Sequence, residues 1–344
     1  MAAKTDGSDY LRVHVLVGLE RTARAGGHVK CWERLAEAAA RARSPVDLTV
    51  HFQASGPDMQ HLSDRVRFRM HRALLGTARF PLLDVGVDST DLAPFHPGLL
   101  RALGRADVIH TTDAYFAFAR TAGLAARLRG TPLVTSLHTD TPRYTHLYAE
   151  RILNRVAGPA ARILTGALRL PARLERGMTR KLHRHAAHCE AVLVPEAGHA
   201  GFDAGFDTGR ASARCGTLRR GLDRDLFSPA RRDRARLHRE YGIPADRFVL
   251  GFSGRIDAGK GVDVLTAAAE RLLAAGRDVH VLLAGEGPAA GEVSRRLGER
   301  ATLPGHVAQD RLAWILASSD LFVFPSRIEV APNAVLEAMA CGLP

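Results

Sequence analysis

Short apolar runs alternate with helical stretches along most of this chain, and this rhythm restricts its possible folds more than any other feature. The runs predict β-strands, and several are apolar on both faces, as in a sheet covered by helices on both sides. Amphipathic stretches such as 30–43 and 115–129 predict helices between them. The alternation therefore indicates an α/β fold with a parallel sheet. The predicted strands of the first series are 13–17, 48–52, 66–70, 108–110, 133–137 and 192–194.

A second series of the same kind follows, and 344 residues are enough for two domains. Segment 228–247, between the two series, is rich in Arg and Asp and flanked by proline, which favours a linker with a solvated helix. We therefore predict two Rossmann-like domains, 1–228 and 229–344, the second with only three strands. Those strands are 248–252, 280–283 and 321–324, with helices near 262–275 and 311–318.

The charge, the aromatic content and the cysteines argue against several classes of protein. The net charge of +12 indicates an acidic partner such as a phosphate or an anionic membrane, but only 6% of residues are aromatic, which argues against nucleic acid. We predict no secretory signal, and no apolar run approaches the ~18 residues that span a bilayer. The cysteines lie far apart, as expected for free thiols in a reducing compartment. They are Cys31, Cys189, Cys215 and Cys341.

Two loops of the first series are candidates for contacting a ligand. Gly26 and Gly27 lie between a strand and a helix, where bare backbone and helix N–H groups can approach an anion. A plain turn is the alternative. His138 and Asp140 follow a strand at its carboxyl end, where open parallel sheets place ligands. The alternative for His138 is a buried structural histidine.

Two cations flank the loop after the first strand of the second series. Arg255 follows Gly254, and Lys260 precedes Gly261 at the start of the next helix. Cations at the carboxyl end of a parallel strand can hold a diphosphate. The chain contains only four lysines, so Lys260 differs from its arginine-rich surroundings. Two solvated loop cations are the alternative.

The segment after the last predicted strand contains two carboxylates and a helix start. Pro332 suits the first helical position, which leaves the N–H groups of Asn333 and Ala334 available to an anion. Glu329, in the loop, and Glu337, in the helix, can accept hydrogen bonds from sugar or ribose hydroxyls. A capping or surface role is the alternative for Glu337.

One glycine-rich motif imitates a dinucleotide fingerprint. Gly285-Glu-Gly287-Pro288 follows the second strand of its domain, whereas a nicotinamide-binding motif follows the first. His306 stands about 20 residues further on, where an acidic ribose partner would be needed. We therefore do not expect NAD.

Segment 151–184 is strongly basic, with nine cationic side chains and one acid, Glu175. At ~100° per residue its arginines fall on one face of a predicted helix, opposite apolar residues. Such a helix can lie on an anionic membrane, or it can pack its apolar face on the sheet with the arginines in solvent; the two are compatible. The arginines expected to contact a membrane are Arg169, Arg173, Arg176 and Arg180, and the apolar residues are Leu170, Leu174, Met178 and Leu182.

Together these motifs resemble the group 1 (family 4) retaining glycosyltransferases of GT-B fold. The resemblance implies two Rossmann-like domains facing a cleft, with the second incomplete because the family continues beyond the final Gly-Leu-Pro. The motifs that carry it are Gly254-Arg255 with Lys260-Gly261, Gly285-Glu-Gly287-Pro288, Leu303-Pro-Gly305-His-Val307, Asp320-Leu-Phe-Val-Phe-Pro-Ser326, Glu329 with Glu337, and Arg219-Arg-Gly221-Leu-Asp223 before the second domain.

The resemblance also implies residue roles. The donor diphosphate would be held by two cations and two helix N–H groups, the sugar and ribose by two carboxylates, and the base by the backbone near Val307. No metal or other cofactor is expected, because the cations and N–H groups stabilise the leaving diphosphate. The residues expected to act in the reaction are His138, Arg255, Lys260 and Glu329. Those expected to bind the donor are Gly26, Gly27, Gly254, Val307, Asn333, Ala334 and Glu337.

The stretch from His138 to Tyr144 resembles family members that glycosylate membrane lipids such as diacylglycerol. With the basic helix, it implies transfer of a sugar from a UDP- or GDP-sugar to a membrane-associated acceptor, either a glycerolipid or a saccharide on a lipid carrier. The protein would be cytoplasmic and peripheral on the inner membrane face. The alternative function is a catalytically inactive nucleotide-sugar-binding GT-B protein or fragment.

Overall fold

The computed structural model describes residues 10–22, 25–77, 89–158, 160–195, 215–326 and 329–344. It divides into two compact units, Met1–Gly221 and Leu222–Pro344, so the division lies a few residues before the predicted position 228. Each unit contains one sheet with helices, which confirms the α/β class.

The first unit is built on an eight-stranded sheet in the described part of the chain, in the order β3-β4-β2-β1-β5-β6-β7-β8. All pairings are parallel except that of β3 with β4. The edge strands β3 and β8 were not predicted, because they are short and lack an apolar run. The strands are β1 (Leu11–Glu20), β2 (Val46–Ala54), β3 (Asp58–His61), β4 (Val66–Arg72), β5 (Val108–Thr111), β6 (Leu133–Ser136), β7 (Ala191–Val194) and β8 (Cys215–Thr217).

Apolar residues on both faces of β1 explain why its sequence does not alternate. Val15 and Val17 face a core that includes Phe52, whereas Leu16 faces a second core with Phe118. Each buried side chain of this size contributes roughly 1.5–3 kcal/mol. The helices of this unit are α1 (Gly27–Arg41), α2 (Pro97–Ala102), α3 (Ala117–Arg129), α4 (Thr141–Val156), the single turn α5 (Ala160–Arg162) and α6 (Leu170–Ala187).

The second unit has a parallel sheet of four strands among its described residues, in the order β11-β10-β9-β12, so the prediction of three strands is wrong. The additional strand, β11, contains Pro304, which favours a loop in the sequence. The proline is tolerated because β11 lies at the sheet edge. The strands are β9 (Phe248–Ser253), β10 (Val279–Ala284), β11 (Ala301–Gly305) and β12 (Leu321–Phe322), the last shorter than predicted.

Segment 228–247 belongs to the second unit and is not a linker. Leu237, in its helix, and Ile243 are buried in a core with Trp314, so the helix is not merely solvated. The helices of this unit are α7 (Arg234–Tyr241), α8 (Val262–Ala274), α9 (Ala290–Leu297), α10 (Gln309–Ala317) and α11 (Asn333–Ala340). Across the described residues of both units, every helix is too short or too polar to cross a bilayer.

Candidate functional site

Three close backbone approaches bring together loops that follow the strands of the second unit. A Cβ atom on Gly285 would overlap the carbonyl oxygen of Gly254, and one on Gly287 would overlap that of Ile256. A Cβ atom on Gly261 would overlap the carbonyl oxygen of Pro325. The glycines therefore allow the loops after β9, β10 and β12 to meet at the carboxyl end of the sheet, where open parallel sheets bind ligands.

Asp257 organises the two predicted diphosphate-binding cations, although it was not among the predicted site residues. Its carboxylate accepts a hydrogen bond from Arg255 Nε and another, of 3.0 Å, from the backbone N–H of Lys260. Asp257 is only 2% exposed, so it is a fixed anchor within the loop. An Asp three residues before the backbone N–H that it caps is the sequence signal that identifies such a residue.

Lys260 and Glu329 meet directly in this structure. Lys260 Nζ contacts Glu329 Oε1, and Ser326 Oγ donates a hydrogen bond of 2.7 Å to the same oxygen. Lys260 Nζ also lies 5.7 Å from the ring centre of Phe324. Two predicted site residues from separate loops thus form one cluster. Residues 327 and 328 of the intervening motif lie outside the described residues.

The helix that follows this cluster begins one residue later than predicted. Pro332 occupies the N-cap position, with φ −76° and ψ 112°, and α11 begins at Asn333. Asn333 and Ala334 are therefore its first two residues, at the positive end of the helix dipole. Glu337 lies one turn further and is only 5% exposed, so a surface role for its side chain is wrong.

This cluster has the chemistry of an anion and hydroxyl site. It contains two cations (Arg255 and Lys260), the start of α11 and the carboxylate of Glu329. All of them follow strands at the carboxyl end of the sheet. Phosphate oxygens accept hydrogen bonds from cations and N–H groups, whereas a carboxylate accepts them from hydroxyls. Val307 lies after β11 and packs into the core beneath this sheet; its contact with a base stays a prediction.

In the first unit, His138 and Gly27 are joined by Arg220, which lies in the Arg219-Arg-Gly221-Leu-Asp223 motif but had no predicted role of its own. The Arg220 guanidinium donates to the backbone oxygens of His138, at 3.3 Å, and Gly27, at 3.5 Å. Gly26 is the N-cap residue of α1, which places the glycine pair at a helix start as predicted. A bond between residues 82 positions apart leaves no local pattern in the sequence.

The His138 side chain lies in a cluster of buried aromatic and polar groups. Its ring stacks on that of His28, with centres 4.3 Å apart and planes 9° apart. Ser136 Oγ lies 2.8 Å from both His138 Nε2 and His110 Nε2. Trp32 Nε1 donates to His138 Nε2 at 3.3 Å. His138 is 8% exposed, which agrees with the alternative of a buried structural histidine. It also follows β6 at its carboxyl end, the position at which open parallel sheets bind ligands.

Burial keeps the histidines of this cluster uncharged near neutral pH. Desolvation lowers the pKa of His138 well below its ordinary value, with added repulsion from His28 and Arg220. Burial also lowers the pKa of His110 to about 4 and, with the charge of Arg220, that of His28 to about 3. The cluster therefore offers neutral imidazoles to a ligand, not cations.

The basic segment folds as α4, α5, a π-helical turn and α6, with its arginines exposed. Arg169 is not in the helix: it precedes α6 in a left-handed conformation, with φ 46°. Leu182 is buried, but Leu174 is 43% exposed, so the apolar face is only partly covered. α6 packs on α4, and its buried residues are Pro171, Leu182 and Ala186, so Leu174 is not among the side chains that this packing covers.

The described residues contain no group of three or more His, Cys, Asp or Glu side chains placed to hold a metal ion. That no metal is required stays a prediction. Of the cysteines, three are buried and Cys215 is exposed, and all four are free thiols.

Comparison with known proteins identifies the family of the second unit. Residues 247–344 match the family model described as "Glycosyl transferases group 1". The chain is 30% identical over 285 residues to D-inositol 3-phosphate glycosyltransferase 1 of Catenulispora acidiphila, covering 76% of this chain and 60% of that protein. It is 29% identical over 234 residues to alpha-D-kanosaminyltransferase of Streptomyces kanamyceticus, covering 64% and 53%. The chain thus spans between about half and 60% of the length of these relatives.

Solved structures of similar fold confirm the GT-B architecture. Sucrose-phosphate synthase from Thermosynechococcus elongatus superposes with a TM-score of 0.66 at 19% identity, over 97% of this chain and 80% of that one. WaaG, a glycosyltransferase involved in lipopolysaccharide biosynthesis, gives a TM-score of 0.59 at 16% identity, over 96% and 80%. At such identities the likeness concerns the fold alone.

Proposed function

Because residues 247–344 belong to the glycosyl transferase group 1 family, we propose that this protein transfers a sugar from a nucleoside diphosphate sugar, such as a UDP- or GDP-sugar, to a membrane-associated acceptor. The observation that carries the proposal is the contact of Lys260 with Glu329, in a loop where Asp257 binds both Arg255 and the backbone N–H of Lys260. One cluster thus contains groups suited to a diphosphate and to a sugar hydroxyl. The glycosyltransferase names of the relatives support the same activity.

The reaction would depend on positioning and on stabilising the leaving group. As the sugar leaves, negative charge grows on the diphosphate, and Arg255, Lys260 and the start of α11 would stabilise it. Glu329 would orient the sugar through its hydroxyls, and Glu337 would hold the ribose. In the proposed course the acceptor hydroxyl attacks the sugar carbon on the face that the diphosphate leaves, with retention and without a metal ion or a covalent enzyme intermediate. The bond from that carbon to the diphosphate breaks, and the leaving phosphate takes up the proton of the hydroxyl.

The acceptor would be bound at a membrane surface, with a glycerolipid as the first class to test. Arg173, Arg176 and Arg180 are exposed on α6, and Leu174, in the same helix, and Leu168, just before it, are exposed as well. A segment that exposes both cations and apolar side chains suits a surface that meets lipid headgroups and the start of the acyl chains. Such a protein would be cytoplasmic and peripheral on the inner membrane face.

The deciding experiment measures binding and turnover of a panel of UDP- and GDP-sugars by the whole protein, with and without diacylglycerol in anionic vesicles. Turnover of one donor into a glycolipid supports the proposal. NMR of the product anomer tests retention, and excess EDTA tests the need for a metal. Donor binding without turnover, with any acceptor, would favour an inactive nucleotide-sugar-binding protein.

A further inference from the structure

Trp32 and His138 are joined by a hydrogen bond whose direction is fixed by chemistry. An indole nitrogen carries a hydrogen and has no lone pair to accept with, so Trp32 Nε1 can only donate. It lies 3.3 Å from His138 Nε2 in a buried contact. His138 Nε2 must therefore accept, which requires an unprotonated nitrogen at that position. A neutral imidazole carries one hydrogen, so the hydrogen of His138 must be on Nδ1.

Ser136 alone would leave both tautomers of His138 possible. Its hydroxyl oxygen lies 2.8 Å from His138 Nε2 and 2.8 Å from His110 Nε2. If His138 carried its hydrogen on Nε2, it could donate to Ser136, while the Ser136 hydroxyl donated to His110. Trp32 excludes this arrangement, because two N–H groups would then face each other at 3.3 Å.

The hydrogen on His138 Nδ1 has no acceptor among the described residues. Nδ1 is a buried atom without a hydrogen-bond partner, in a side chain that is 8% exposed. Leaving such a donor unsatisfied costs about 1–3 kcal/mol, so an oxygen of a bound ligand would gain by meeting it. On one face the ring is covered by His28, which stacks on it at 4.3 Å.

We propose that Trp32 is a positioning residue that holds His138 as the Nδ1–H tautomer, so that His138 donates a hydrogen bond to a substrate oxygen and does not act as a base. The substrate part of this inference rests on the proposed function, whereas the tautomer does not. A hydroxyl or phosphate oxygen of a bound substrate is the acceptor that this chemistry selects. A protonated ring would also place an N–H group against Trp32, so the same contact favours the neutral form.

The tautomer can be measured without substrate by long-range ¹H–¹⁵N NMR correlations of the whole protein labelled with [¹⁵N]histidine. The His138 signals are assigned by their loss in His138→Gln. We expect a protonated Nδ1 and an unprotonated Nε2. A hydrogen on Nε2 in the wild-type protein would overturn the proposal outright, whether or not any variant folds.

Trp32→Phe removes the donor and keeps an aromatic ring. We expect the hydrogen of His138 to move to Nε2, at least in part, and donor turnover to fall about tenfold, as for the loss of one hydrogen bond. The matched control is Trp314→Phe, which removes the indole that donates to the backbone oxygen of Asp233 in the second unit. It should leave the His138 signals unchanged.

An unchanged Nδ1–H tautomer in Trp32→Phe would show that Trp32 does not fix it and would refute its positioning role. If Trp32→Phe does not fold, benzothienylalanine at position 32 keeps the shape of the indole and lacks only the N–H group. The NMR result is independent of catalysis. Absence of turnover in the wild-type protein would therefore remove the proposed function but not the tautomer assignment.

Discussion

The ammonium group of Lys260 forms an ion pair with the carboxylate of Glu329, 69 positions further along the chain. Both side chains are mostly buried, with 19% and 23% exposed. The pair brings the loop after β9 to the loop after β12, and Ser326 adds a hydrogen bond to the same carboxylate. The Lys260 side chain is thus already oriented before a donor binds, which reduces the entropy that donor binding would lose in ordering the site.

Lys260→Ala and Glu337→Ala should each reduce donor turnover at least tenfold, which corresponds to about 1.4 kcal/mol of transition-state stabilisation. The first removes a charge that would stabilise the leaving diphosphate, and the second removes a buried carboxylate that would hold the ribose. Donor hydrolysis rates measure both. The control is Lys181→Ala, which removes an exposed lysine of α6 and should keep the wild-type rate. Near-normal rates in both site variants would refute the assignment.

Asp257→Ala should weaken both the site and the fold of the second unit. The variant removes one acceptor of Arg255 and the cap of the Lys260 loop, and each of these contacts contributes about 1 kcal/mol or more. We expect slower donor turnover together with a loss of about 1–3 kcal/mol in the free energy of unfolding, measured by urea titration. Asp310→Ala, at an exposed position near the start of α10, should cost only a few tenths of a kcal/mol. Equal effects at the two positions would contradict the anchoring role.

Gly261→Ala should destabilise the second unit much more than Gly242→Ala. Both glycines have φ 68°, so both variants incur the strain of a left-handed alanine, about 1–2 kcal/mol. Only at Gly261 would the new Cβ overlap the carbonyl oxygen of Pro325, whereas nothing lies within 4 Å at Gly242. Urea unfolding of the two variants measures the difference. Similar losses would show that the loops after β9 and β12 are not in close contact.

Reversal of charge at Arg169, Arg173 and Arg176 should weaken binding to anionic vesicles, since each basic residue near such a surface contributes about 1 kcal/mol. We expect at least a hundredfold loss in a sedimentation assay with phosphatidylserine vesicles and no change with neutral ones. The control reverses three exposed arginines of the second unit, Arg271, Arg277 and Arg295. Equal losses in both triple variants would show an effect of net charge alone, and the membrane surface on α6 would be withdrawn.

The elements that the sequence predicts correctly are those with a local pattern. The apolar runs of β9 and β10 identify these strands because nearly every residue of each run is buried in the fold. β11 was missed because its burial is only partial and Pro304 weighs against a strand. Its pairing with β10 gives it strand geometry despite these signals, and pairing is a long-range property.

In the candidate site, too, the residues with a local motif were predicted and most of their contacts were not. Arg255 and Lys260 were identified because cations beside glycines after a strand form a short motif. Asp257, which orients these cations, was missed although its capping spacing is local. The contact that orients His138 was missed because Trp32 and His138 lie 106 positions apart and only the folded sheet brings them together. His28 and Trp32 share a face of α1 through their spacing of four, but nothing in that spacing identifies the histidine they meet.

Three buried histidines of the first sheet should make its stability depend on pH. His14 Nδ1 lies 2.9 Å from His51 Nε2, and His51 Nδ1 lies 2.9 Å from His71 Nε2. Burial lowers the pKa of His14 to about 4 and that of His71 to about 3, and it lowers the pKa of His51 well below 6.5. The unfolded chain, with pKa values near 6.5, therefore takes up protons first as the pH falls, and the folded state loses stability.

Between pH 7.5 and 5.5 the loss should be about 1 kcal/mol for each of these histidines, and it should continue toward pH 4. Urea unfolding at both pH values, followed by hydrogen exchange of the β1 and β2 amides, measures it. His14→Gln should reduce the pH dependence by about 1 kcal/mol whatever its effect on stability at pH 7.5. The control His61→Gln alters an exposed residue of β3 and should leave the pH dependence unchanged. A wild-type stability that is equal at both pH values would mean that these rings already carry a proton in the folded state, or that water reaches them.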